Sequence, residues 1–306
     1  MNMSDRQHLI SEQTFLRQQL AQMPASARIT RMGAEGRLRS VEAKLAELPL
    51  DEREPARARL TFNGAPVLGS HGIVADFGLR AVNSFSEIVA SVAASLSAPL
   101  SAMGPIPQRA QHQLLITSTA VGSFGFELEE FRSQQLALTG ASPVATALAH
   151  TQALLQSTLQ GDDELADVAS ETDPRALEKA RAFLRVLADN DAVCTLQFGD
   201  QGVRFTDVTQ VRQSLARLSA DNLREEPQTL CGAFVGALPN SRTFEFVLSG
   251  GEQVIKGKVA PTVEQVDTIN QHLNQVTEVD VMLTQVGQGK PRYLLTRLPE
   301  WPTAIA

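Results

Sequence analysis

Gln113-Leu-Leu-Ile-Thr-Ser-Thr-Ala-Val-Gly-Ser-Phe-Gly-Phe-Glu-Leu-Glu129 decides how the first half of this chain folds. Two β-favouring runs flank a glycine-containing turn, so the segment predicts strand, turn, strand. An earlier phrase, Ala58-Arg-Leu-Thr-Phe-Asn-Gly-Ala-Pro-Val-Leu-Gly-Ser70, has the same form. Its Asn63-Gly64 pair suits a two-residue hairpin turn because both positions tolerate positive φ, and Pro66 confines the strand after it to a sheet edge. Between the two phrases, residues 73–97 predict a helix with Phe77, Ala81, Phe85, Ile88, Val89, Val92 and Leu96 on one face. Ser97 to Gln108 holds three prolines and a glycine and reads as a loop. The expectation over residues 57–140 is a ββαββ-type antiparallel sheet lobe with one helix across its face.

Upstream, residues 4–48 read as two helices. Leu9, Leu16 and Met23 recur every seventh residue and Leu20 adds a step of four. After Pro24, the stripe Leu38, Val41, Leu45, Leu48 alternates steps of three and four, as a coiled-coil seam does. An N-terminal helical hairpin over 1–50 is expected. Two heptads per segment are too few to stand alone, so these eight residues form a candidate surface for self-association or a protein partner. Pro49 to Pro55 is a polar linker bracketed by prolines.

Downstream, residues 141–190 predict a helical connector. Ser142-Pro143 opens one helix, which runs to about Gln160, and Asp173-Pro174 opens another, which runs to Asp189, each by an N-cap followed by proline. Gly161-Asp-Asp-Glu164 reads as an acidic loop that ends the first. Residues 191–306 are β-rich. A hairpin spans 193–205 and a short helix follows Asp207. Strands are expected at 229–238, 242–248 and 253–259, a helix at 262–274 and a last hairpin at 278–298. Short antiparallel strands with one inserted helix suggest a small β-barrel of the SH3-like or OB-like kind. The fold class expected is therefore α+β.

Composition narrows the chemistry. The 306 residues are 43% hydrophobic and 20% charged, as in an ordinary globular protein. No apolar run reaches the roughly 18 residues of a membrane span, and the first thirty residues lack the apolar core of a secretory signal, so a cytoplasmic location is expected. The net charge of −7 is uneven: residues 141–190 carry four basic and eight acidic side chains. Arg28, Arg31, Arg37 and Arg39 crowd into twelve residues, yet no basic face suited to nucleic acid is visible. Cys194 and Cys231 lie in apolar β-like runs and read as buried free thiols.

Few residues invite a catalytic reading. Ser70, His71 and Gly72 stand before a helix, where backbone N–H groups bind anions; helix capping is the commoner explanation. Val121-Gly-Ser-Phe-Gly125 lacks the first glycine of a nucleophile elbow. His8, His71, His112, His150 and His272 are scattered singly without metal-ligand spacing. Glu127 and Glu129 share one side of a strand end and read as solvated. Asp162, Asp163 and Glu164 lack the spacing of an EF-hand. No nucleotide-binding, metalloprotease or kinase motif occurs, so no catalytic residue, cofactor or metal is assigned.

The phrases Phe62–Ser70 and Leu115–Phe126, with Arg242-Thr-Phe-Glu-Phe246 and Ile255-Lys-Gly257, resemble phrases in uncharacterised bacterial proteins. That resemblance implies an accessory role in phage defence and carries no site residue. The function expected is a non-enzymatic sensor or adaptor that oligomerises or docks a protein partner. One alternative is a hydrolase or small-ligand-binding enzyme with a cleft between lobes, near Ser70, His71 and residues 127–130. Another is a single-stranded nucleic-acid binder using the C-terminal barrel.

Overall fold

The computed structural model describes residues 9, 12–13, 15–17, 19–20, 23, 28–47, 55–120, 124–131, 142–251 and 253–301. Strands β1 (Arg57–Gly64), β4 (Leu114–Thr119), β5 (Phe124–Glu130), β6 (Ala192–Phe198) and β7 (Gln201–Arg204) form an antiparallel sheet in the order β4-β5-β1-β6-β7. The β4–β5 hairpin is the one expected; its turn residues 121–123 lie outside the described residues. The earlier phrase behaves differently. Leu60 on β1 faces Phe126 on one side and Leu196 on the other, so both edges of β1 are occupied. The strand expected after Asn63-Gly64 shrinks to β2 (Val67–Leu68), which pairs only with β3 (Gly72–Ile73). Gly64 adopts φ 113° where the chain passes Asp191, whose carbonyl accepts the Ala65 N–H at 3.2 Å. Residues 192–204, which the sequence places in the C-terminal lobe, complete this first sheet instead.

Helix α2 (Ala75–Ser95) lies on the inner face of the sheet, joined there by α3 (Pro143–Ser157) and α5 (Pro174–Asp189). Its predicted stripe enters the core: the Phe77 ring meets Phe62 at 5.5 Å and Phe85 meets Phe183 at 5.8 Å, both edge to face. Burying each such ring contributes roughly 1.5–3 kcal/mol. The proline-marked starts are as the sequence implies. The Ser142 hydroxyl accepts the Ala145 N–H at 3.0 Å, and the Asp173 carboxylate accepts the Arg175 N–H at 2.9 Å. Each cap of this kind stabilises by about 1 kcal/mol.

The acidic run is not a loop. Asp162, Asp163 and Glu164 form the first turn of α4 (Asp162–Ala169), with Gly161 at the N-cap, where negative charge complements the helix dipole. They also bind other elements. Arg217 at the end of α6 (Val208–Arg217) pairs with Asp162 at 2.8 Å. Arg292 reaches Asp163 at 3.6 Å and also pairs with Asp167, and Lys258 pairs with Glu171.

The last lobe is a closed barrel of β8 (Leu223–Leu238), β9 (Thr243–Leu248), β10 (Val254–Val259), β11 (Val276–Val286) and β12 (Arg292–Leu295). Around it β8 pairs with β9, β9 with β10, β10 with β12, β12 with β11 and β11 with β8; only β10 and β12 run parallel. The helix expected at 262–274 contracts to α7 (Thr268–Gln271), between β10 and β11. Phe234, Phe244 and Phe246 fill the barrel, with ring centroids 5.0–5.6 Å apart. Cys194 is buried as expected, and burial pushes its thiol far above the ordinary range. Cys231 is exposed, contrary to expectation, because it lies on an outward-facing position of β8.

Near the N-terminus, residues 15–17 are helical, and α1 spans Arg28–Glu47. Leu9, Leu16 and Val41 form a small buried cluster, packed by Leu38 and Ala34. Glu12 pairs with Arg37 at 2.5 Å and Arg17 with Glu42 at 2.8 Å, so contacts rise together along the two segments. An antiparallel hairpin would pair rising numbers on one segment with falling numbers on the other, so these contacts do not have the order expected of one; residues 24–27, between the segments, lie outside the described residues.

Candidate functional site

A cleft of about 600 Å³ opens between α2 and the β4–β5 edge of the first sheet. Its size is that of a small-molecule or peptide site, roughly 300–1,000 Å³. One wall is a second stripe of α2, distinct from its core face: Ala75, Gly78, Leu79, Val82, Ser86 and Ala90. Their spacing of three and four residues puts them on one side of the helix. Gly78 belongs there because a Cβ would stand 3.3 Å from the Ile73 side chain, which closes this end of the cleft. The opposite wall is β4 through Leu114 and Ile116, and the floor is Phe124 and Phe126, whose rings meet edge to face at 6.0 Å. Gly125 between them has no room for a side chain, since a Cβ would run into the Leu60 carbonyl and the Thr61 backbone.

Among the described residues nothing covers the cleft at the surface. Leu79 is 71% exposed and Ile116 54%, with Val74 exposed beside them. Strand β4 ends the sheet order, and its outer edge pairs with no strand among the described residues. Its irregularity is a bulge between Ile116 and Ser118, where the Thr117 hydroxyl donates to the Glu127 carbonyl at 3.3 Å.

Polar groups gather at one end. A short 3-10 turn, Arg109–Gln111, precedes β4 and brings Arg109, His112 and Gln113 to the cleft beside Ser86. Glu87 binds the Arg109 guanidinium and also holds Lys179 at 3.3 Å. The His112 ring is only 6% exposed, and its Nδ1 has no hydrogen-bond partner. Burial lowers its pKa, against an opposing pull from the Glu130 carboxylate, so the ring is neutral at pH 7. An unsatisfied buried nitrogen costs about 1–3 kcal/mol. Comparisons with protein-family models, curated proteins and solved structures found no match to this chain.

The residues singled out in the sequence lie elsewhere. Ser70 and His71 stand exposed in the β2–β3 turn, while Val74 occupies the N-cap of α2. Neither they nor Gly72 lines the cleft. Glu127 and Glu129 are paired on the outer face of the sheet, with Arg59 at 3.3 Å and Arg57 at 3.1 Å. Glu129 and Glu130 are buried, so this strand end is not solvated as expected; Glu130 accepts from the Ser142 hydroxyl at 2.9 Å. His150 bonds Thr172 at 2.7 Å, and His272 stacks on Trp301. Of the N-terminal stripe, Leu9, Leu16 and Val41 are buried, Leu20, Met23 and Leu38 are half-buried, Leu45 falls within α1, and Leu48 and His8 are outside the described residues. No group of three or more His, Cys, Asp or Glu among the described residues could hold a metal ion. No helix among them is long and apolar enough to cross a membrane.

Sequence reasoning missed the cleft because it stopped at the core stripe of α2. The second stripe, with its glycine, alanines and serine among Leu79 and Val82, was available as a signal. The edge position of β4 was not.

Proposed function

We propose that this chain is a non-enzymatic docking protein that holds a partner protein in the cleft between α2 and β4. The observation that carries this reading is an apolar, open cleft beside a sheet edge that, among the described residues, has no strand on it and no paired nucleophile and base in its lining. Apolar walls with a few convergent polar groups favour binding, and exposed apolar patches of this kind mark interaction sites.

The barrel supports the same class of function. In its strand order the first, second and third strands are followed by the fifth and then the fourth, with the third and fifth parallel and the helix between the third and fourth. That arrangement favours an OB-like barrel over an SH3-like one. A nucleic-acid role draws little support from its surface. Phe205, Phe234, Phe244 and Phe246 are buried and offer no stacking platform.

A photo-crosslinking amino acid placed at Leu79 or Ile116, in the cells from which the protein comes, tests the docking reading. A discrete adduct of higher mass is expected from both positions. The exposed barrel residue Val254 serves as control. Adducts from Val254 alone, or from no position, refute the reading.

A further inference from the structure

We propose that the cleft receives the C-terminal end of an extended peptide, which adds to β4 as a further strand and sets its terminal carboxylate at Arg109. The inference rests on the docking reading above and names its occupant.

The edge comes first. A terminal strand presents a row of backbone donors and acceptors, and natural proteins usually blunt such edges with charge, proline or brevity. The other edge of this sheet follows that rule: β7 has four residues and includes Gly202 and Arg204. Strand β4 does not. Leu114-Leu-Ile-Thr-Ser-Thr119 carries no charge and no proline. Another strand is the partner that satisfies such a row, with its alternate side chains entering whatever lies beneath.

Beneath β4 lies the cleft. The α2 wall from Ala75 to Ala90 spans fifteen residues, or about 22 Å of helix. Six or seven residues of extended chain cover that length at about 3.3 Å each. Side chains at every second position would then meet Ile116 on β4 and Leu79 and Val82 on α2, so apolar residues are favoured there.

The polar end fixes the direction. Past it, Leu100 and Ile106 from the loop after α2 pack on Ala90 and Ala94. Among the described residues, Arg109 is the charged residue that lines the cleft, and none that lines it is acidic. Glu87 already carries two cations, Arg109 and Lys179. The nearby Glu130 carboxylate is directed to the Ala56 N–H and the Ser142 hydroxyl. A carboxylate is therefore matched at this end, and an ammonium is opposed. His112 lines this end beside Arg109, and its Nδ1 has no hydrogen-bond partner.

The full-length protein is applied to two arrays of random heptapeptides, one ending in free carboxylates and one in amides. The strongest sequences are remade and measured by fluorescence anisotropy. Enrichment on the carboxylate array is expected, with apolar residues at alternate positions counted back from the C-terminus. Amidation should weaken binding at least tenfold. N-methylation of the amides that face β4 should do the same, while methylation of the interleaved amides should not. Arg109→Gln should reduce the free-acid peptide to the affinity of its amide and leave the amide unchanged. Leu79→Asp, at an exposed position that tolerates charge, should weaken both. Equal binding of acid and amide overturns the proposal. So do apolar residues spaced by three and four, which mark a helical occupant. A cleft already filled by a second copy, seen as a dimer that peptide does not dissociate, also overturns it, as does the absence of any binding peptide. Crosslinked adducts at Leu79 and Ile116 alongside any of these results leave the docking reading standing with another occupant; their absence removes both.

Discussion

Replacing Glu225 with glutamine should make this protein more stable at pH 8 and leave it nearly unchanged at pH 5. Glu225 lies on β8 two residues beyond Leu223, which enters the core of the first lobe. Burial raises its pKa; Arg181 opposes and the Asp173 carboxylate adds to it, leaving the carboxyl at about 7 against an ordinary 4.5. Between those two values the folded chain holds a proton that the unfolded chain has released. Stability from this group is therefore greatest in acid and falls as pH rises from about 4.5 through 7. At about 1.4 kcal/mol per unit over roughly 2.5 units, the ceiling is about 3 kcal/mol. Glutamine keeps the shape and cannot ionise, so it should gain about 1–3 kcal/mol over the parent by pH 8. Urea unfolding of both proteins at pH 5, 6, 7 and 8 gives the difference directly. His112 and His150 are both depressed by burial and cost stability below about pH 6.5, but they are common to both proteins and cancel. A difference that stays flat across these pH values, or a glutamine variant less stable at pH 8, refutes the reasoning.

Gly257→Ala should destabilise the barrel by about 1–3 kcal/mol, because its methyl would stand 2.5 Å from the Phe244 ring and 2.6 Å from the Tyr293 carbonyl oxygen; an unchanged calorimetric transition would count against that packing. Arg292→Ala removes the pairs with Asp163 and Asp167, and hydrogen exchange in α4 and β12 should quicken while the centre of β1 stays protected. Uniform exchange in the two proteins would show that these pairs do not hold the lobes together. Deleting residues 1–50 should change the oligomeric mass seen by light scattering, since the cluster of Leu9, Leu16 and Val41 is too small to need a seam of that length for itself; an unchanged mass removes self-association through this segment. A fluorescent oligo-dT should not bind at low salt, and salt-sensitive binding there would restore the nucleic-acid alternative.

What was legible in the sequence was local. Ser142-Pro143 and Asp173-Pro174 announce helix starts because cap and proline act within one turn. The β4–β5 hairpin was readable for the same reason. The fate of Asn63-Gly64 was not, because β1 finds β6, some 130 residues away, and that pairing leaves no edge for the residues just after the turn. Asp162 to Glu164 misled for a subtler reason. An acidic run after a glycine ends one helix or begins the next with equal local logic, and only the following apolar positions Leu165, Ala166 and Ala169, all buried, favour the second. Cys231 looked buried because β8 is apolar on both sides, whereas a closed barrel exposes every second residue of such a strand. The cleft required both a helix stripe, which was visible, and the position of β4 in the sheet, which no local pattern encodes.

The acidic connector explains why the barrel, despite its topology, is poorly suited to phosphate. Residues 218–301 contain seven Lys and Arg against the ten acidic residues of the same span. Lys258 and Arg292 are committed to Glu171, Asp163 and Asp167 on the first lobe. Lys256 is paired with Glu245 at 2.7 Å, Arg297 with Asp280, and Arg242 donates to the Val263 carbonyl at 2.7 Å. At five of the seven a phosphate contact would therefore compete with an existing partner, in a region of net negative charge, where the release of counterions that drives nucleic-acid binding is small. The same charges instead fix the barrel against α4. Gly287, at φ 52°, brings the β11–β12 turn so close that a Cβ would stand 2.6 Å from the Asp162 carboxylate. On the docking reading proposed above, a barrel held in that way serves as a spacer or a second contact surface, and the edge of β4 is the place where recognition by backbone and apolar side chains has room to occur.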